Sequence, residues 1–146
     1  MEGKLNPKTS RRKRSAPCSS HTDPHRAGML GLLLIDHGSR RAESNHQLED
    51  MAERVRRLRP AATVVAAHME IAAPDLATAF ATLVKAGATH IVILPYFLSD
   101  GRHLSQDIPQ LATAAAQLHP GITYTIGGAL GPHDTLAALL LERGGA

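Results

Sequence analysis

Four times over, this chain follows a short, continuous apolar run with a segment whose apolar residues recur at helical spacing. "MLGLLLI" runs into Asp36. Leu48, Met51, Ala52, Val55 and Leu58 then mark one face of a helix over about 42–59, with Glu49, Asp50, Glu53, Arg54 and Arg57 between them, and Pro60 stops it. "ATVVAAHM" leads to "APDLATAFATLVKAG", which carries Pro74 near its first turn and Gly87 as its C-terminal cap. "THIVILPYF" leads to "HLSQDIPQLATAAAQLHPG", where Pro109 sets the helix start near Ile108 after a turn and Pro120-Gly121 closes it. "ITYTIGG" leads to "PHDTLAALLLERG". Each intervening helix carries the chain back to the same end, so successive strands lie parallel and helices cover both faces of the sheet. Strands 1 and 3 are the most apolar and belong in the centre. The expected fold is therefore α/β, a four-stranded parallel sheet of order 2-1-3-4, flavodoxin-like, with right-handed crossovers.

The alternation begins at Met29. Residues 1–28 hold seven Lys or Arg against Glu2 and Asp23, while residues 29–146 carry a net charge of −2. The overall charge of +3 thus belongs to the tail, and the folded body offers no basic surface that would argue for nucleic acid. The tail has almost no large apolar residue and reads as a disordered basic leader, 1–28, before one domain, 29–146; an upstream start with Met29 as the true first residue fits equally. It lacks the apolar stretch of a secretory signal. No apolar run approaches the ~20 residues of a membrane span. Cys18 is the only cysteine, so no internal disulfide or thiolate metal site can form, which fits a reducing compartment such as the cytoplasm.

In an open parallel sheet, ligands bind beyond the carboxyl ends of the strands, where the strand order reverses. Strand 1 ends in Asp36-His37-Gly38-Ser39-Arg40, strand 2 in His68-Met69-Glu70, and strand 3 runs through Pro95-Tyr96-Phe97-Leu98 to Ser99-Asp100-Gly101-Arg102-His103. Positions 37, 70 and 103 are separated by 33 residues each time, one strand–helix unit, so His37, Glu70 and His103 reach one edge. Two imidazoles and a carboxylate suit a borderline divalent metal and leave coordination positions open. That predicts a site where metal arrives and leaves, or where a base acts. Gly38 permits a tight turn. Ser39 and the amides after it can hold an anion at a helix N-terminus, and Arg40, Arg41 and Arg102 suit carboxylates or phosphates. Each of these residues also has a plain reading: His37 hydrogen-bonded in a turn, Glu70 solvated or capping, His103 on a helix surface. His68 is a partly buried, satisfied imidazole held in reserve for the site. His90 reads as structural, His46, His119 and His133 as surface, and Tyr96 and Phe97 as wall.

"LLLIDHGSR", "HMEIAAPDLATAF" and "ILPYFLSDGRHLSQDIP" together resemble the signature segments of the small CbiX/SirB-type sirohydrochlorin chelatases, the class II tetrapyrrole chelatases, over about residues 30–142. The tail has no counterpart, and the chain matches one lobe of the family's two-lobed members. The resemblance implies an enzyme that inserts Co2+ or Fe2+, with Ni2+ a further candidate, into sirohydrochlorin on the way to siroheme or a cobalamin-type product. His37 and His103 then handle metal and protons, and Glu70 is the accompanying carboxylate. Metal is a substrate, with no permanent cofactor. It also implies a homodimer, two half-sites making one cleft for a flat macrocycle. Two other readings stay open. A non-catalytic metal or tetrapyrrole carrier can share the fold. Histidine-phosphatase-like phosphoryl transfer also places His-Gly after strand 1, but it needs an arginine before the histidine, where this chain has a repelling Asp36.

Overall fold

Residues 28–146 are described by a computed structural model, so the expectation for residues 1–27 lies outside the described residues. β1 (Met29–Asp36), α1 (Ala42–Leu58), β2 (Thr63–His68), α2 (Leu76–Lys85), β3 (Ala88–Pro95), α3 (Ile108–Gln117), β4 (Thr123–Ile126) and α4 (Asp134–Gly144) follow in that order. The strands form one all-parallel sheet of order β2-β1-β3-β4, as the relative apolarity of the strands predicts.

β1 is buried on both faces because a helix layer covers each. Leu32 and Leu34 point to one side and meet Val64, Ala66 and, from α1, Leu48 and Ala52. Leu33 and Ile35 point to the other and meet Ile91, Ile93, and the α2 and α3 residues Leu76, Phe80, Leu83, Ile108 and Ala112. The period of two along a strand sets this split. Phe80, Leu33, Ile35, Ile91 and Ile93 are fully buried, each contributing roughly 1.5–3 kcal/mol of apolar burial. α1 adds a polar tie to β2: the Arg56 guanidinium donates from Nε (3.2 Å) and Nη2 (2.8 Å) to the Val64 carbonyl.

Helix ends follow local chemistry. The Asp75 carboxylate caps α2 by accepting from the Thr78 N–H at 2.8 Å. Its pKa is lowered from the ordinary 3.8, first by the Thr78 side chain and then by the Thr78 backbone N–H. α3 begins at Ile108, as Pro109 requires, and a π-helical turn, His103–Asp107, precedes it. α4 differs from the other helices: none of its residues is buried, and Leu140 and Leu141 are exposed. No helix among the described residues is long and apolar enough to cross a membrane.

Candidate active site

The parallel ladder between β1 and β2 runs past the end of both strands and delivers the first two site residues together. Asp36 and His68 are register partners. Beyond them the Met69 N–H donates to the Asp36 carbonyl (2.9 Å) and the Glu70 N–H to the His37 carbonyl (3.2 Å). Each residue after the strand is thereby held opposite its neighbour, and His37 Nε2 lies 3.1 Å from Glu70 Oε1. Both side chains are about half exposed, so the pair faces an opening.

Two unusual backbone positions make that approach possible. Gly38 has φ +89°, and a Cβ there would stand 2.0 Å from the Glu70 carbonyl oxygen. Only glycine fits. On the other side, Ile71 has φ +72°, and the Ala72 N–H donates back to the Glu70 carbonyl at 2.8 Å, a γ-turn around Ile71. A β-branched residue in this conformation is strained. The strain sits directly beside Glu70.

β3 contributes the third residue through its continuation. The Tyr96 N–H donates to the Ile35 carbonyl (2.7 Å), keeping the exit of β3 alongside β1. The chain then turns into the π-helical segment, where His103 Nδ1 is 2.8 Å from Asp107 Oδ2. With Nδ1 engaged, Nε2 is the nitrogen left for chemistry. The His103 ring stands edge-on to the His37 ring, centroids 4.9 Å apart, and the Phe97 ring is 6.3 Å from it. His37, Glu70 and His103 therefore adjoin at the carboxyl edge of the sheet. Beside them an open hollow of about 390 Å³ is lined by His37, Ser39, Ser44, Gln47, Tyr96 and Leu98.

Three His–carboxylate pairs now stand at one edge: Glu70–His37, Asp107–His103 and, behind them, Asp36–His68. Carboxylate oxygens and imidazole nitrogens are thus interleaved along this edge. Among the described residues no three His, Cys, Asp or Glu side chains are gathered closely enough to cage an ion by themselves. Arg40, Arg41 and Arg102 are exposed at the rim and form no ion pair among the described residues.

Ser39 is engaged locally. Its N–H donates to Asn45 Oδ1 (2.9 Å), its carbonyl accepts from Asn45 Nδ2 (2.8 Å), and its Oγ accepts from the Arg41 N–H (3.0 Å). Asn45, on α1, thus shapes the turn after His37; one helical residue among many, it gave no signal in the sequence. Asp107 was legible only as an i+4 neighbour of His103. His68 is buried rather than lining the opening, and its Nδ1 contacts Asp36 Oδ1 at 2.5 Å. His90 is structural, bonded to Thr123 Oγ1 at 2.7 Å. His119 departs from its surface reading: it is partly buried and stacks on Phe80 at 5.7 Å, because the chain folds back over α2 at the end of α3.

Comparison with known proteins gives one consistent result. The CbiX family model matches residues 31–145. A protein named sirohydrochlorin ferrochelatase, chloroplastic, from Arabidopsis thaliana is 38% identical over 141 residues, covering 91% of this chain and 61% of that protein. A sirohydrochlorin cobaltochelatase of Methanococcoides burtonii is 31% identical over 122 residues, covering 78% of this chain and 93% of that protein. The crystal structure of the sirohydrochlorin chelatase SirB from Bacillus subtilis subspecies spizizenii in complex with cobalt superposes with a TM-score of 0.75 at 27% identity, covering 79% of this chain and 49% of that one. The chain therefore spans about three fifths of the plant relative and half of the Bacillus chain, but nearly all of the archaeal relative.

Proposed function

This chain belongs to the CbiX family, and from that premise we propose that it is a metal chelatase, inserting a divalent ion, Co2+ or Fe2+ and by the same donor chemistry Ni2+, into sirohydrochlorin. The observation that carries the reading is the meeting of His37, Glu70 and His103 at one sheet edge, with 3.1 Å between the first two and 4.9 Å between the rings.

Insertion requires three events: the hydrated ion sheds water, two pyrrole N–H protons leave, and the macrocycle deforms so that its nitrogen lone pairs face the ion. His37 and His103 offer nitrogen donors at an edge rich in carboxylate. An imidazole is also the side chain suited to accept a proton near neutrality. Glu70 offsets the ion's charge and, 3.1 Å from His37 Nε2, is placed to relay a proton. An incomplete donor set suits this work, because an ion held by a closed cage is not surrendered. The ring nitrogens of the macrocycle supply the missing ligands and take the ion over. Arg40, Arg41 and Arg102 are exposed cations at the rim, suited to the peripheral carboxylates of the substrate. Ser39 contributes its hydroxyl proton, its other groups being spent within the turn. Metal enters as substrate, and no permanent cofactor takes part.

The active form is a homodimer. The match spans only 49% of the Bacillus chain, and α4 leaves Leu140 and Leu141 uncovered, an apolar face that a second copy can close. With its lone Cys18 the protein suits a reducing compartment such as the cytoplasm.

The test is direct. Purified protein is mixed with sirohydrochlorin and a panel of Co2+, Fe2+ and Ni2+, and the absorption spectrum is followed. Many turnovers per chain are expected with at least one metal. A change that stops at one equivalent marks a carrier instead, and an unchanged spectrum with every metal rejects the proposal.

A further inference from the structure

Behind the open site lies the third His–carboxylate pair, which the insertion mechanism does not use. His68 is 2% exposed, the one buried polar or charged residue of the described chain. Its Nδ1 is 2.5 Å from Asp36 Oδ1, and that same oxygen accepts the Gly38 N–H at 3.0 Å. The two residues are register partners on adjacent strands. The next rung of the ladder repeats the chemistry with the roles exchanged: there the histidine, His37, is on the β1 side and the carboxylate, Glu70, on the β2 side.

This arrangement has a mechanical meaning. Asp36 precedes His37, and its carboxylate grips the amide of Gly38, which follows His37. The backbone on both sides of the catalytic imidazole is thus fixed to one oxygen, and His68 anchors that oxygen. His68 itself is held at its backbone, its N–H donating to the Pro74 carbonyl at 2.8 Å, which ties the far end of the Glu70 loop to the same point. One buried imidazole therefore connects the segment carrying His37 to the segment carrying Glu70. An apolar residue would fill the same space without any of these directional bonds.

Resting on the chelatase reading, we propose that the Asp36–His68 pair is a positioning device that sets the His37–Glu70 and His37–His103 geometry. His68 is closed off from the hollow, and Asp36, at its wall, acts through its bonds to His68 and the Gly38 N–H. Positioning partners of this kind are commonly worth ten- to hundredfold in activity or metal affinity.

The experiment compares His68→Leu, which keeps bulk and removes the bond, with His68→Asn, whose amide nitrogen can replace Nδ1 as the donor to Asp36. Three quantities are measured on the full chain: kcat and KM for insertion, the urea unfolding midpoint, and the His37 and His103 imidazole proton signals by NMR. The Leu variant should lose about ten- to hundredfold in kcat with KM for the tetrapyrrole little changed. Its His37 signal should move, and the Asn variant should restore both. A Leu variant with wild-type kcat and an unmoved His37 signal overturns the proposal. So does an equal loss in both variants that tracks their unfolding midpoints, since that is merely structural. If the unaltered protein inserts no metal, the chelatase reading fails by itself, and the ring signals decide the positioning role alone.

Discussion

Replacing Gly38 by alanine isolates how closely the two strand ends must approach. The new Cβ would lie 2.0 Å from the Glu70 carbonyl oxygen and 3.1 Å from His68 Cβ, against an ordinary contact of 3.4 Å or more. The obstacle is backbone, so no rotamer change relieves it, and the Glu70 segment must retreat by at least the missing 1.4 Å. Alanine at φ +89° adds a conformational cost of roughly 1–2 kcal/mol. Losing the Glu70 N–H to His37 carbonyl bond adds about 1 kcal/mol. The total is a destabilisation of roughly 2–3 kcal/mol, read from urea unfolding. Activity should suffer more than stability implies. A displacement of the order of 1 Å at a reacting constellation can cost about a hundredfold in rate, and here Glu70 is carried away from His37 directly. Gly121→Ala is the control. Its φ is +87°, yet no atom lies within 4 Å of the added Cβ, so it carries the conformational cost alone. It should lose roughly 1–2 kcal/mol and keep its insertion rate. Equal stability losses in the two variants, or a Gly38→Ala variant with an unreduced insertion rate, would refute the reasoning.

Four further outcomes are expected. His37→Ala and His103→Ala should each lower the insertion rate by about 10²–10⁴-fold, and near-normal rates in both would remove them from the chemistry. Asp107→Ala deprives His103 Nδ1 of its partner and should cost about ten- to hundredfold in kcat with little change in unfolding midpoint. Asp75→Ala removes the α2 cap and should cost about 1 kcal/mol at neutral pH, where the depressed carboxyl is ionised in both states. Because the folded value lies below 3.8, that contribution is full above 3.8 and fades as pH falls through the folded value, so the gap between variant and wild type should close in acid; a constant gap counts against the cap. Leu140→Asp puts a charge on the uncovered face of α4 and should halve the mass seen in sedimentation if that face joins two copies.

The fold was legible because each level of the sequence agreed. Strand-type runs buried on both faces, helical stripes, and stops at Pro60, Gly87 and Pro120 all favour one parallel sheet, and Ile108 begins α3 as Pro109 demands. The convergence of His37, Glu70 and His103 was legible for the same reason, since equal spacing over repeating units brings equivalent positions to one edge. Partnerships were not legible. That His68 turns inward to Asp36, that Asp107 holds His103, and that Asn45 brackets Ser39 depend on side-chain direction at strand ends and turns, where neither period of two nor 3.6 applies. The solvent-facing character of α4 was equally hidden. Its leucines follow the pattern of a helix with a covered face, and only the fold reveals that nothing in the described chain covers them.

The central place of β1 also governs how this molecule comes into being. Leu33 pairs with Val65 on one side and Ile93 on the other, both made later, one and two strand–helix units downstream. During synthesis the most apolar strand of the chain waits unpaired until β2 emerges, and its other edge stays open until β3 has left the ribosome. Folding nuclei that need such distant partners form slowly and expose adhesive surface meanwhile. Expression at reduced temperature, or with ample chaperone, should therefore raise the soluble yield more than any change made to α4 or β4.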